Sequence, residues 1–212
     1  MKLSKVEEIV PKIKARELIP IKEALEDNQR VRTLLTEMER RYDCEFSSQN
    51  TTHAECLDEW FEDGWKTLHG RFLQKLKGQI LVDLGAGKIN YGYDFAKEAG
   101  ARSYVAVEPF NYETLLHYIK YEKKGLPSSC SPVDMLTFIQ TLPKGSVSFL
   151  CSGIDGAIIS GKKYYREVEN QIQRALHRNG VFVSNRSMIK PRGLKRLNSL
   201  RDNFGLEIYA QR

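Results

Sequence analysis

Apolar positions change their spacing part-way along this chain. Up to about residue 77 they recur every three or four residues; beyond it, short β-rich runs alternate with amphipathic segments. In the first part Val6, Ile9, Val10 and Ile13 keep helical spacing, with Pro11 interrupting. A second helix is predicted from about Ile21 to Arg41, with Leu25, Val31, Leu34, Leu35 and Met38 largely along one side. The polar stretch YDCEFSSQNTT then breaks the chain, and Thr52 and Glu55 have the spacing of a capping box. Leu57, Trp60, Phe61, Trp65, Leu68, Phe72 and Leu76 follow at intervals of three or four and predict a long helix with an aromatic face. That face must be covered by the main domain or by a ligand, and a stripe at helical spacing is mostly core.

From Gly78 the pattern predicts a strand (QILVDLG), a helix (Tyr91 to Gly100), a strand (SYVAVEP), a helix (about Tyr112 to Lys124), and a short strand ending at Val133. A helix around Met135 to Thr141, a strand (SVSFLCSGI), a helix (about Tyr164 to Arg178), a strand (GVFVSNR), a helix (about Leu194 to Asn203) and a last strand (LEIYA) complete it. Strict alternation of β and α favours a parallel sheet with helices on both faces, binding ligands beyond the carboxyl ends of its strands. The expected fold is α/β, a doubly wound, mostly parallel sheet. Residues 1–77 form an N-terminal helical extension or lid and residues 78–212 the main domain.

Composition narrows the classes. The 212 residues, 41% of them apolar, suffice for one full α/β core and a smaller attached element. MKLSKVEEIV has no apolar core of signal-peptide length, and no stretch approaches the roughly 20 apolar residues that span a bilayer, so a soluble, cytoplasmic protein with no membrane partner is expected. Without secretion, the sequon Asn50, Thr51, Thr52 is only a polar loop. Cys44, Cys56, Cys130 and Cys151 lack paired metal-ligand spacing and read as free thiols, and the scattered His53, His69, His117 and His177 suggest no metal site. The net charge of +6 is concentrated at the C-terminal end, where residues 151–212 hold 12 Lys and Arg against 5 Asp and Glu. Such a surface attracts polyanions, or is simply a solvated helix face.

The candidate chemistry lies in LVDLGAGKINYG, residues 81–92. Gly85 and Gly87 end the first β-rich run, where a sharp turn leaves the backbone open to a ligand. The mononucleotide-phosphate pattern GxxxxGK is absent. The dinucleotide fingerprint needs a third glycine where Asn90 stands, and Asp83 would lie near the pyrophosphate. A charge pair of that kind costs about 1 to 4 kcal/mol at 4 Å in wet surroundings. S-adenosylmethionine carries no phosphate, but it carries an ammonium and a sulfonium, which suit an acid at Asp83.

The segment resembles motif I of the class I, Rossmann-like S-adenosylmethionine-dependent methyltransferases: an acid, one residue, Gly, one residue, Gly. The resemblance covers about residues 78–208 and implies S-adenosylmethionine as cofactor. It assigns Asp83 to the methionine end and Gly85, Ala86 and Gly87 to the backbone on which the cofactor lies. Ile89 stands where many members have a further glycine, and only one strand, LEIYAQR, follows the last predicted helix where the family usually ends in an antiparallel pair.

An acid about 20 residues beyond the glycines can accept from both ribose hydroxyls, and Glu108 occupies that place in VAVEPFN, as in motif II of the same family, with Pro109 beside it. In SPVDML the resemblance places Asp134 against the adenine amino group and Met135 against the ring; a helix N-cap and core packing are the alternative readings. After the fourth strand, where members of that family often set substrate-facing or catalytic groups, the resemblance makes Ser152 and Asp155 of CSGIDGAII candidates, Ser152 with the cofactor-binding residues and Asp155 as the catalytic base, with His117, Tyr164 and Tyr165 as alternative bases. The amino-methylating signature of Asn or Asp, two prolines and an aromatic is absent.

The resemblance implies an enzyme that transfers a methyl group by direct displacement, in which positioning is the main contribution. Three readings follow. The first is a methyltransferase for a small molecule, with Trp60, Phe61 and Trp65 in a lid; the second acts on RNA through Lys162, Lys163, Arg166, Arg186, Lys190, Arg192, Lys195 and Arg196; the third is a non-catalytic S-adenosylmethionine-binding protein.

Overall fold

The computed structural model describes residues 21–46, 70, 74–87, 91–110, 125–152, 158–159, 161–185, 189–197 and 206–212. Helix α1 (Ile21–Tyr42) leads into a two-residue strand β1 (Glu45–Phe46). A 3₁₀ turn at Gln74–Leu76 precedes strand β2 (Ile80–Leu84), helix α2 (Tyr91–Glu98), strand β3 (Ser103–Val107), strand β4 (Ser128–Ser131) and helix α3 (Met135–Thr141). Strands β5 (Ser148–Ser152) and β6 (Ile158–Ile159), helix α4 (Lys162–Ala175), and strands β7 (Phe182–Asn185), β8 (Lys195–Arg196) and β9 (Leu206–Ala210) complete the described chain.

Seven strands form one sheet in the order β4-β3-β2-β5-β7-β9-β8, and β1 pairs antiparallel with β6 in a separate two-stranded ribbon. Strands β4, β3, β2, β5 and β7 are parallel, and β9 runs antiparallel to both β7 and β8. The expected doubly wound, mostly parallel sheet is therefore present. All five residues of β2 are buried, as a central parallel strand covered on both faces requires. Alternation along β2 sends Ile80, Val82 and Leu84 to the face covered by α3 and α4, and Leu81 to the face covered by α2. Asp83 alternates with Leu84, so it faces α2.

Met38 and Tyr42 of α1 belong to the same buried cluster as Leu136, Tyr164 and Val168. The N-terminal extension is thus packed into the core that α3 and α4 share, whatever boundary the sequence has near residue 77. Arg174 of α4 ties the two helices together: its Nη1 donates to the Leu142 carbonyl at 2.8 Å and its Nη2 to that of Ile139 at 2.8 Å, which also accepts from the Leu142 amide at 3.0 Å.

Several boundaries differ from the pattern reading. Strand β4 ends at Ser131 rather than Val133 because Pro132 has no N–H to give the ladder. Helix α4 spans Lys162–Ala175, starting before Tyr164 and ending before Arg178, where Leu176 turns extended. The predicted long helix through Leu76 gives way there to the 3₁₀ turn, whose Leu76 is buried.

The predicted helix from Leu194 is overturned at its start. Lys195 and Arg196 pair with Ala210 and Tyr209 as edge strand β8, and Arg196 Nη1 bonds Glu207 Oε1 at 2.9 Å across the pair. Two exposed cations are good edge residues, since charge discourages further strand pairing. They supply the second antiparallel strand that the sequence seemed to lack.

Candidate functional site

Chain reversal puts β3 and β4 on one side of β2, and β5 and β7 on the other, so the crevice lies beyond the carboxyl ends of β2 and β5. The sequence assignments Asp83, Gly85, Ala86, Gly87, Glu108, Pro109, Asp134, Met135 and Ser152 all fall at or just after the ends of β2, β3, β4 and β5. The topology brings them to one edge of the sheet. Asp155 lies outside the described residues, as do His117, Trp60, Phe61, Trp65, Ile89 and Arg186.

Gly85 and Gly87 adopt φ of 73° and 68°, a left-handed backbone that favours glycine. A Cβ at Gly87 would meet nothing within 4 Å, so the turn presents bare backbone to open space. The loop is tied down from below. Gly85 and Ala86 donate their amides to the Val107 carbonyl at 2.9 and 3.2 Å, and the Gly87 amide donates to Glu108 Oε2 at 2.9 Å.

Asp83 sits under this loop, only 4% exposed. Its Oδ2 accepts from the Tyr104 hydroxyl at 2.7 Å, and burial lifts its carboxyl to a pKa of about 7, against the lowering by that bond and with further raising from the Glu108 charge. Helix α2 approaches so closely that a Cβ at Gly92 would overlap Asp83 Oδ2 and come within 2.8 Å of the Tyr104 hydroxyl. The Tyr104 ring meets Tyr93 edge-on at 6.0 Å, and the Tyr93 hydroxyl accepts from the Leu126 amide. Asp83 is therefore a buried carboxyl beneath the crevice. Neither Gly92 nor Tyr104 was singled out by sequence reasoning, because a tyrosine in an apolar strand reads as core.

Glu108 closes the end of β3. Its Oε1 accepts from the Phe110 amide at 2.9 Å while Oε2 holds Gly87, so one carboxylate fixes the positions of two loops.

Asp134 is the N-cap of α3, so the capping reading holds. Its Oδ1 accepts from the amides of Leu136 and Thr137 at 3.0 and 3.1 Å, and from the Tyr164 hydroxyl at 2.7 Å. The side chain is nevertheless 3% exposed, and Oδ2 has no hydrogen-bond partner among the described residues. A capping aspartate normally turns its second oxygen to water; here that oxygen is a buried acceptor awaiting a donor. Met135 is buried beside it in the core cluster. Tyr164 is fully buried, and burial followed by the Asp134 charge raises its pKa well above normal, which removes it as a base. Tyr165 is also buried.

Strand β5 ends at Ser152, next to Asn185 of β7. The ribbon then pairs Glu45 and Phe46, which follow α1, with Ile159 and Ile158. Cys44 precedes this ribbon; its thiol is pushed up to about 11 by partial burial and by Glu39, Asp134 and Asp43, so it is protonated at neutral pH. Among the described residues no group of three His, Cys, Asp or Glu is placed to hold a metal, and no helix is long and apolar enough to cross a membrane.

No protein-family model and no curated protein matches the sequence. Solved structures do match. A provisionally assigned methylase from Haemophilus influenzae aligns at a TM-score of 0.51 and 11% identity, over 68% of this chain and 85% of that one. A provisionally assigned methyltransferase from Escherichia coli aligns at 0.53 and 11%, over 69% and 83%. A conserved hypothetical protein from Streptococcus pyogenes aligns at 0.51 and 13%, over 69% and 94%. With its sheet order and its loop at the switch point, the chain has the Rossmann-like α/β fold of the class I S-adenosylmethionine-dependent methyltransferases.

Proposed function

We propose that this protein is an S-adenosylmethionine-dependent methyltransferase acting on a small molecule. The observation that carries the cofactor assignment is Asp134 Oδ2, a buried acceptor with no described partner at the end of the strand next to Glu108. An adenine amino group is a donor of the right kind for it. Glu108, with Pro109, would hold the ribose, and Gly85, Ala86 and Gly87 would carry the cofactor on bare backbone. Ser152 would border the methyl-bearing end. Asp83, negative when ionised, favours the ammonium and sulfonium from below and disfavours a pyrophosphate.

Bound S-adenosylmethionine supplies an electrophilic methyl group whose leaving group is a neutral sulfide. The chain's part is to orient the two reactants, to exclude water and, where the acceptor keeps its proton, to remove it. Asp155 is proposed as that base. The pairing of β1 with β6 supports a lid role for the extension, since it joins the chain after α1 to a strand that follows β5. Calorimetric titration should show that S-adenosylhomocysteine binds and NAD does not. The opposite result would remove the cofactor assignment, and binding without methylated product across a broad acceptor screen would leave a non-catalytic binding protein.

One observation favours an RNA acceptor as a second reading. Arg40 and Arg41 at the end of α1 and Lys162, Lys163 and Arg166 at the start of α4 are all exposed, and the two ends are in contact where Lys163 Nζ donates to the Arg41 carbonyl at 3.3 Å. If RNA docks there, the logarithm of affinity falls with the logarithm of salt by about 0.7 for each phosphate neutralised. Binding that ignores salt would discard the RNA reading.

A further inference from the structure

Tyr164 is far from any position that sequence patterns connect with adenine, yet its hydroxyl ends on Asp134. It donates to Asp134 Oδ1 at 2.7 Å and accepts from the Leu136 amide at 3.2 Å. Leu136 and Thr137 also donate to Oδ1, so three donors converge on one carboxylate oxygen while the other has no described partner. With Oδ1 so loaded, rotating the carboxylate would break three bonds. The free oxygen is held in one direction.

The Tyr164 ring is itself held by the N-terminal extension. Tyr42, in the last turn of α1, meets it edge-to-face at 5.6 Å with the planes 88° apart. Two cations lie over the Tyr42 ring, the Arg41 guanidinium at 5.5 Å and the Lys163 ammonium at 5.7 Å, and Lys163 also bonds the Arg41 carbonyl. Both aromatic rings are buried in one cluster with Met135 and Leu136. A continuous path of contacts therefore runs from α1 through Tyr42 and Tyr164 to the acceptor oxygen.

We propose that Tyr164 is a positioning residue that sets the specificity of the site for a 6-aminopurine, and that Tyr42 makes the N-terminal extension part of this recognition. The proposal rests on the cofactor reading above. Asp134 aims one oxygen at a donor on the base; Tyr164 stops it from turning; Tyr42 keeps the Tyr164 ring in register. A purine with a carbonyl in place of the amino group would set an acceptor against an acceptor and be rejected.

The test uses the full chain and two ligands, S-adenosylhomocysteine and S-inosylhomocysteine, which differ at position 6, amino against carbonyl, and in the N1 proton that the carbonyl form carries. Wild-type protein should prefer the amino form roughly 10- to 100-fold, the range expected for a hydrogen bond to a charged group. Tyr164→Phe, which keeps the ring, should reduce that preference to about threefold or less, as should Asp134→Asn. Tyr42→Ala should reduce it too, and Tyr42→Phe should retain it, because the contact is made by the ring. Equal preference in wild type and Tyr164→Phe would make Tyr164 a packing residue only and overturn the proposal. If Tyr164→Phe fails to fold, the Tyr42 pair decides: equal preference in Tyr42→Ala and Tyr42→Phe overturns it. Wild-type protein that binds neither ligand refutes the cofactor reading itself, a failure separate from one in which wild type discriminates and the variants still do.

Discussion

Gly92→Ala lowers the stability of this protein, although alanine is the better helix former. Gly92 lies in the first turn of α2, and a helical glycine replaced by alanine ordinarily gains about 0.5–1 kcal/mol. Here the new methyl group overlaps Asp83 Oδ2 and comes within 2.8 Å of the Tyr104 hydroxyl. Neither can step aside cheaply. Asp83 is short, buried and bonded to Tyr104, and Tyr104 is fully buried against Tyr93. Overpacking of this kind costs about 1–3 kcal/mol, enough to reverse the helical gain. Thermal unfolding should register it at roughly 2–4 °C per kcal/mol for a chain of this size. Affinity for S-adenosylhomocysteine should fall with it, because Asp83 must move. Gly193→Ala is the control: its Cβ would meet the amide end of exposed Gln173, which can swing into solvent, so stability should change by less than about 0.5 kcal/mol. A Gly92→Ala protein as stable as wild type would mean that α2 does not press on Asp83.

The contrast between these glycines shows how much of the site could be read in advance. Gly85 and Gly87 were legible because a turn after an apolar run demands them, and Glu108 and Asp134 because each acid follows a β-rich run at the place where a parallel sheet opens. Gly92 was not, since its reason is a neighbour brought close only by folding. The same holds for Tyr104 and Tyr164: strand or helix spacing explains their rings, and nothing local tells where a hydroxyl will end. Strand β8 was missed because two residues are too few to carry a period, and because Leu194, buried as a helical reading expects, is equally buried next to an edge strand. For α1 the apolar stripe was legible, including Leu35 and Met38, but a stripe does not name what covers it. Leu35 goes to the cluster that holds Tyr93 and Phe95 of α2, while Met38 and Tyr42 go to the one that holds Tyr164 of α4, which connects the extension to the crevice.

Asp83→Asn should remove a pH dependence that wild-type protein shows between about pH 4 and pH 7. The Asp83 carboxyl titrates near 7 in the folded chain and near 3.8 in an unfolded one, chiefly because burial disfavours its charged form. Below pH 3.8 both states hold the proton and the residue contributes no slope. Between the two values the folded chain keeps a proton that the unfolded chain has released, so wild-type stability declines as pH rises; above 7 the penalty is complete, on the order of 4 kcal/mol. The bond from Tyr104 works against this penalty and the Glu108 charge adds to it. An asparagine never ionises, and its carbonyl can still accept from Tyr104. Chemical denaturation should therefore find the variant close to wild type at pH 4 and more stable at pH 8. Cofactor affinity should move the opposite way, because the anion that the ligand's ammonium favours is gone. In wild type, ligand binding near pH 6 should draw a proton off Asp83, seen as a binding enthalpy that varies with the buffer's ionisation enthalpy. A wild-type protein whose stability does not fall from pH 4 to pH 8 relative to the variant, and whose binding enthalpy ignores the buffer, would mean that Asp83 is ionised throughout.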